Sequence, residues 1–193
     1  MIPSYPLRPT NGGPFKPDRD KRGQWAYEPK VNGWRAIVHA PTSRMWNRRG
    51  QRLSIEYEFA AVLEAIRNAD LPPEMEWLDC EAFERRHALG KGSLVLLDYI
   101  PTDKATYGER QERILDAVRT GLPVIRHFTH LKPPEEDRLL LLDKYLPHNT
   151  PGEVKIGARV EPSFDLYDMW GVLQYMNNQW NAEVFEGFVA KRI

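Results

Sequence analysis

Cysteine is nearly missing from this chain: Cys80 is the single one in 193 residues. No internal disulfide can form, which points to a reducing, intracellular setting. No apolar run approaches the length of a membrane span, so no transmembrane helix is expected. Met1–Pro6 lack the basic and apolar regions of a signal peptide, and the expected location is cytoplasmic. Repeats and low-complexity tracts are missing too. So is net charge: 27 Lys and Arg balance 27 Asp and Glu. That excludes a strongly basic nucleic-acid binder but not a local basic groove. Arg44, Arg48, Arg49 and Arg52 crowd one segment. They read either as such a groove or as a solvated surface.

What is present reads as one large domain or two small ones, with ample chain for a core. The first 25 residues are rich in proline, glycine and charge, and read as an extended lead-in. Strands are expected at Trp34–Ala40 and Arg44–Asn47, joined by a Pro41-Thr42-Ser43 turn. Asn47-Arg48-Arg49-Gly50 is a second turn. Ser54 is expected to cap a helix running to Asn68, with Phe59, Val62, Leu63 and Ile66 at helical spacing. Trp77–Phe83 and Ser93–Ile100 read as strands. A helix follows with Tyr107, Ile114, Leu115 and Val118, closed by Gly121. Val124–Phe128 is another expected strand, Glu135–Tyr145 and Ser163–Trp180 are expected helices, and Glu183–Ile193 is the last strand. The class is α+β with largely antiparallel sheets.

Chemistry concentrates on three stretches. In Lys30-Val31-Asn32-Gly33-Trp34-Arg35 a lysine precedes a glycine by three residues. A lysine amine attacks only as the free base, and glycine lets backbone and ligand approach closely. An exposed turn lysine before a strand is the alternative. Asp79 and Glu81 lie two apart on a strand, hence on one face. Such a pair either sits exposed at an edge or grips a cation or a ribose. Glu186 and Lys191 bracket Gly187-Phe188-Val189-Ala190. Strict alternation places Phe188 and Ala190 with Glu186, unless Gly187 permits a bulge.

Taken in order, these pieces resemble the covalent nucleotidyltransferase superfamily of ATP-dependent DNA ligases, RNA ligases and capping enzymes. The likeness is greatest to the adenylation domain of phage and bacterial ATP-dependent DNA ligases, from about Pro6 to Arg192. Lys30–Arg35 resembles K-x-D-G-x-R, and Asn47–Gly50 the S-R-N-G turn. Leu78-Asp79-Cys80-Glu81 resembles L-D-G-E. Leu96–Tyr99 resembles a base-stacking strand, and Tyr107–Arg113 a helix start common in these ligases. Glu186–Lys191 resembles E-G-[LVI]-[VM]-x-K.

The resemblance implies a nucleotidyltransferase, ATP-grasp-like fold: two largely antiparallel sheets flanked by helices, with a nucleotide cleft between them. It implies a lysyl-AMP formed from ATP at Lys30, with Mg2+, and transfer of AMP to the 5′-phosphate of nicked duplex DNA. It assigns Glu28 to adenine, partly through its backbone, and Arg48 to ribose or phosphate. Arg35 faces the 5′-phosphate. Glu81 holds ribose and metal, and Glu186 supports metal and lysine. Lys191 lies near the phosphate, and Leu97 and Val189 belong to the nucleotide-binding set. A monomer is expected. RNA ligase, capping guanylyltransferase and a non-catalytic nucleotide- or nick-binding relative stay open as alternatives.

Several residues depart from the pattern. Asn32 stands for the usual aspartate, and Leu97 for the usual aromatic. Cys80 replaces a glycine and reads as a small buried residue, not a nucleophile. His127 and His130 match no role in the family and read as packing. After Ile193 the resemblance would expect a K-x-K strand and an OB-fold domain, needed for full activity. A truncated chain, a second polypeptide and a degenerate relative are the three readings of that end.

Overall fold

The computed structural model describes residues 25–83, 92–119, 125–126, 154–156, 170–171, 173–175, 177–178 and 181–192. The proline-rich lead-in, the helix expected at Glu135–Tyr145 and both His127 and His130 lie outside these. Strands β1 (Trp25–Val31) and β8 (Phe185–Arg192) form a two-stranded antiparallel sheet. The others form a six-stranded sheet in the order β3-β2-β4-β5-β7-β6. These are β2 (Trp34–His39), β3 (Arg44–Asn47), β4 (Trp77–Phe83), β5 (Ser93–Tyr99), β6 (Ile125–Arg126) and β7 (Val154–Ile156).

The β3-β2-β4-β5 run is antiparallel; β2–β3 and β4–β5 are consecutive strands, whereas β2 pairs with β4 across the longer connection that follows β3. Both pairings of β7 are parallel, with β5 and with β6. The fold is mixed, with antiparallel pairing dominant. Within the expected Val124–Phe128 strand, β6 covers Ile125–Arg126. Helices are few: α1 (Ala60–Asn68), α2 (Tyr107–Arg119) and helical residues at 170–171, 173–175 and 177–178. No helix among the described residues is long and apolar enough to cross a membrane.

Ser54 does not cap a helix. A 3-10 segment, Glu56–Phe59, comes first, and α1 begins at Ala60 with Phe59 before it and no side-chain cap. The reason is Glu56. Its carboxylate accepts the Met45 N–H at 2.7 Å and the Arg52 and Arg44 guanidiniums at 2.8 and 3.2 Å. That anchors the segment to β3 and leaves the cap geometry unused. The apolar period was sound all the same, since Phe59, Val62, Leu63 and Ile66 are all buried.

Alternation decides what each face of the six-stranded sheet does. Ala36 and Val38 on β2, and Leu78, Cys80 and Ala82 on β4, join α1 residues and Ile114 of α2 in one core. Cys80 is wholly buried there, and burial pushes its thiol well up, away from the reactive thiolate. The opposite face carries Arg35, Ile37 and His39, with Trp77, Asp79 and Glu81 opposite them on β4. Its far end is apolar, where Ile37, Trp77 and Ile100 pack with Trp46, and the His39 ring lies 4.3 Å from Trp77. Its near end is charged, and the two-stranded sheet meets it there.

Candidate nucleotidyl-transfer site

Lys30 lies near the end of β1, opposite Gly187 of β8. The register slips at the next step, where Val31 pairs with Phe185, so Glu186 is an extra residue on β8. This is the bulge that strict alternation left out. Gly187 supplies it with φ at 146°, a backbone region natural to glycine. The bulge turns Glu186 onto Lys30, and its carboxylate accepts the Lys30 Nζ ion pair. The two side chains are 39% and 43% exposed, so a ligand can reach both. A cleft of about 490 Å3, with Trp170, Gln174, Asn178, Asn181 and Glu183 among its walls, also reaches Glu186.

Beyond Asn32, Gly33 lies against Glu81 on β4, and the Lys30 charge pulls the Glu81 pKa down. Glu81 stands with Arg35 and Asp79 on one face of the sheet. Asp79 and Glu81 do share a face, and Arg35 from β2 lies between strand partners to hold them. Arg35 Nε donates to Asp79 Oδ1 at 2.8 Å, and its terminal nitrogen donates to Oδ2. Burial works against the guanidinium charge, but Asp79 holds Arg35 above its ordinary pKa. Asp79 itself faces Asp98 directly across β4 and β5. Opposed like charges repel, and a second arginine answers: Arg110 of α2 grips Asp98 through two bonds of 3.0 and 2.8 Å. Sequence reading gave Arg110 no role beyond a helix start.

Among the described residues Glu81 forms no ion pair of its own, and a cation would favour its charged form. Burial pushes its pKa up to about 7, against the pull of Arg35, the Gly33 N–H and Lys30. The sign for stability follows. Below the unfolded value of 4.5 both states are protonated and nothing is lost. As pH rises through 4.5 towards 7 the unfolded chain ionises first, so stability falls. Glu81→Gln is therefore expected to be more stable than wild type at pH 7.5 by about 3 kcal/mol, from the size of that shift. The gain should vanish at pH 4. Urea unfolding at both pH values, without added cation, checks this.

Gly33 shows why the lysine motif needs glycine. A Cβ there would lie 2.8 Å from the Ala82 carbonyl oxygen and 2.8 Å from Glu81 Cγ. The carbonyl belongs to a buried central strand and cannot retreat. Gly33→Ala is expected to cost about 1–3 kcal/mol, as overpacking does, and to push the Lys30 segment off β4. A melting temperature unchanged within error would mean that this approach is looser than drawn.

The adenine and phosphate assignments of Glu28 and Lys191 meet an unforeseen geometry. Glu28 is buried, and its two oxygens accept the Tyr107 hydroxyl and Lys191 Nζ, the latter at 2.8 Å. Burial raises the Glu28 pKa, with Lys191 and Tyr107 pulling it back. Lys191 Nζ also lies 4.9 Å from the Tyr107 ring centre and 3.5 Å from the Leu97 carbonyl. Leu97 occupies a second bulge, because Asp79 pairs with Asp98 but Cys80 with Leu96. Its half-buried side chain thus escapes the alternation of β5. Val189 pairs with Glu28 across the small sheet. Arg48 is exposed on the turn after β3, which Asn47 ties by accepting the Arg49 and Gln51 N–H groups at 2.8 and 3.1 Å. Among the described residues, no hydrogen bond or ion pair links Arg48 to the Lys30 cluster.

Among the described residues, no group of three or more His, Cys, Asp or Glu side chains is placed to hold a metal ion. A Mg2+ ion needs only one or two carboxylates when substrate phosphates complete its shell. Glu81, short of positive charge, and the half-exposed Glu186 fit that requirement.

The chain matches no protein-family model and no curated protein. Solved structures are similar to it, two of them as follows. One, titled Pmar-Lig_Pre, has 15% identity and a TM-score of 0.49 over 90% of this chain and 39% of its own. The other is the Chlorella virus DNA ligase–adenylate, with 16% identity and a TM-score of 0.47 over 90% of this chain and 56% of its own. The chain thus spans well under two thirds of either.

Proposed function

We propose that this chain is the adenylation domain of an ATP-dependent DNA ligase, with Lys30 as its nucleophile. The observation that carries the reading is the half-exposed Lys30–Glu186 pair, with the Glu81 of the Arg35–Asp79–Glu81 cluster against Gly33 and within reach of the Lys30 charge. A lysine on a loop needs none of this, whereas a nucleophile needs a base in contact and a charged wall opposite.

In the proposed reaction ATP lies beside Lys30, in the nucleotide cleft that the resemblance implies. The Lys30 amine gives up a proton, which Glu186 is placed to accept. Its lone pair forms an N–P bond to the α-phosphorus, and the bond to the β-phosphate oxygen breaks. Pyrophosphate leaves and AMP stays on the lysine. The 5′-phosphate of a nick then attacks the same phosphorus, returns the lysine and carries AMP away. The adjacent 3′-hydroxyl displaces AMP to seal the strand. Arg35 is already fixed by Asp79, so its guanidinium charge would stand beside the phosphate without an entropic cost of ordering. Glu81 and Glu186 would hold Mg2+, which would neutralise charge gathering on the phosphates. Glu28 and Lys191 shape the wall beneath the nucleotide. A downstream K-x-K strand and OB-fold domain belong to this proposal as partners for full nick sealing.

The test is incubation with α-labelled ATP and Mg2+, followed by intact-mass measurement. The expected result is an AMP adduct on one tryptic peptide containing Lys30. Labelling by GTP in place of ATP would turn the reading to a capping enzyme, and sealing confined to nicked RNA would turn it to an RNA ligase. No adduct with either nucleotide, with and without the downstream domain, would leave only a binding module.

A further inference from the structure

Asn32 breaks the expected motif, and its surroundings give the break a purpose. Its backbone N–H donates to the Val184 carbonyl at 2.8 Å. Its side-chain Nδ2 donates to the neighbouring Glu183 carbonyl at 2.9 Å. The same stretch is held from its other side by the buried Asn177. Asn177 Oδ1 accepts the Val184 and Phe185 N–H groups, both at 3.0 Å, and its Nδ2 donates to the Phe185 carbonyl at 2.8 Å. Residues 183–185 are thus pinned between two carboxamides, and the next residue is the bulged Glu186.

We propose that Asn32 is a positioning residue whose carboxamide fastens the Lys30 strand to Glu183–Val184 and so sets Lys30 against Glu186. The proposal rests on the reading of Lys30 as the nucleophile. The chemistry at this point demands a donor. The partner is a carbonyl oxygen, which only accepts. An ionised carboxylate only accepts too, so the residue usual in the resembling motif would face oxygen with oxygen. Restoring that aspartate should therefore impair this chain, not repair it.

The pH dependence distinguishes this clamp from ordinary damage. A protonated carboxyl has an O–H to donate and can rebuild the bond. Around the position stand Lys30 on β1, Glu183 and Glu186 beside it, and Glu81 across from Gly33. All of these are present in wild type as well, so the ratio of variant to wild type isolates the introduced group.

The experiment uses the full chain with two readouts, the rate of AMP-adduct formation and the melting temperature without nucleotide, for wild type, Asn32→Asp and Asn32→Ala from pH 4.5 to 8. At pH 7.5 Asn32→Asp is expected to form adduct at least tenfold more slowly than wild type and to melt lower. Both deficits should close as pH falls towards 4.5. Asn32→Ala should be impaired by a constant factor at every pH. An Asn32→Asp rate equal to or above wild type at pH 7.5, or a deficit that ignores pH, overturns the clamp. If wild type itself forms no adduct, the nucleophile reading fails, and the melting series alone decides the clamp.

Discussion

Lys30→Ala is expected to abolish the AMP adduct entirely and to leave the unfolding transition almost where it was. The second half of that expectation makes the first half meaningful. The Lys30–Glu186 pair is half-exposed, and such pairs contribute between about 0 and 1 kcal/mol. Loss of labelling therefore cannot be ascribed to a collapsed fold. Lys30→Arg sharpens the test. It keeps a cation for Glu186, but a guanidinium stays protonated and has no free lone pair to offer phosphorus. It too should give no adduct. Label persisting in either variant, on any other residue, would remove Lys30 from the centre of the mechanism.

Asp79→Ala should be the most destabilising change at the site. The Asp79 side chain is 4% exposed and that of Arg35 21%. Breaking a buried pair by deleting one partner typically costs 3–5 kcal/mol, because the other charge stays buried. With one fifth of the arginine in contact with water, about 2–4 kcal/mol is expected here. Arg35 should also swing from its place beside Glu81, so adduct formation should fall even at temperatures where the variant is folded. Asp79→Asn, which keeps one acceptor for Arg35, should recover part of both. Denaturant midpoints for the pair of variants, with adduct rates measured well below the transition, separate the two effects. If Asp79→Ala unfolds within 0.5 kcal/mol of wild type, the bidentate pair is not the support described.

Much of this was legible in the sequence, and the failures have a common cause. Period-two reasoning put Asp79 with Glu81 on one face, and Cys80, standing where the resembling motif has glycine, read as a small buried residue; both hold. Strict alternation does not carry through Glu186, where the chain inserts one extra residue against its partner strand, and β5 does the same at Leu97. A bulge is set by pairing with a strand elsewhere in the chain, so no local pattern announces it. Gly187 was the one hint. Helical spacing found the buried face of α1 but not its start, because Glu56 is claimed by β3. The partners of the predicted residues were less visible still. Tyr107, Arg110 and Asn177 are ordinary helix residues until folding brings them to Glu28, Asp98 and β8. Residue type and spacing identify groups that touch a ligand. They say little about groups that touch those groups.

The small sheet that carries the lysine joins β1 to β8, and Lys30 lies 156 positions from the glutamate it pairs with. During synthesis the strand bearing Lys30 emerges from the ribosome early, and its partner waits for nearly all the rest. For that interval the chain carries a lysine with no base beside it and no facing strand to order it. Closing so long a loop is also entropically slow, which places this pairing late in folding. Under the proposed function the lysine is thus disarmed by topology until the body of the domain exists. An unfinished or misfolded chain would then not consume nucleotide, because Lys30 and Glu186 must meet before either could act.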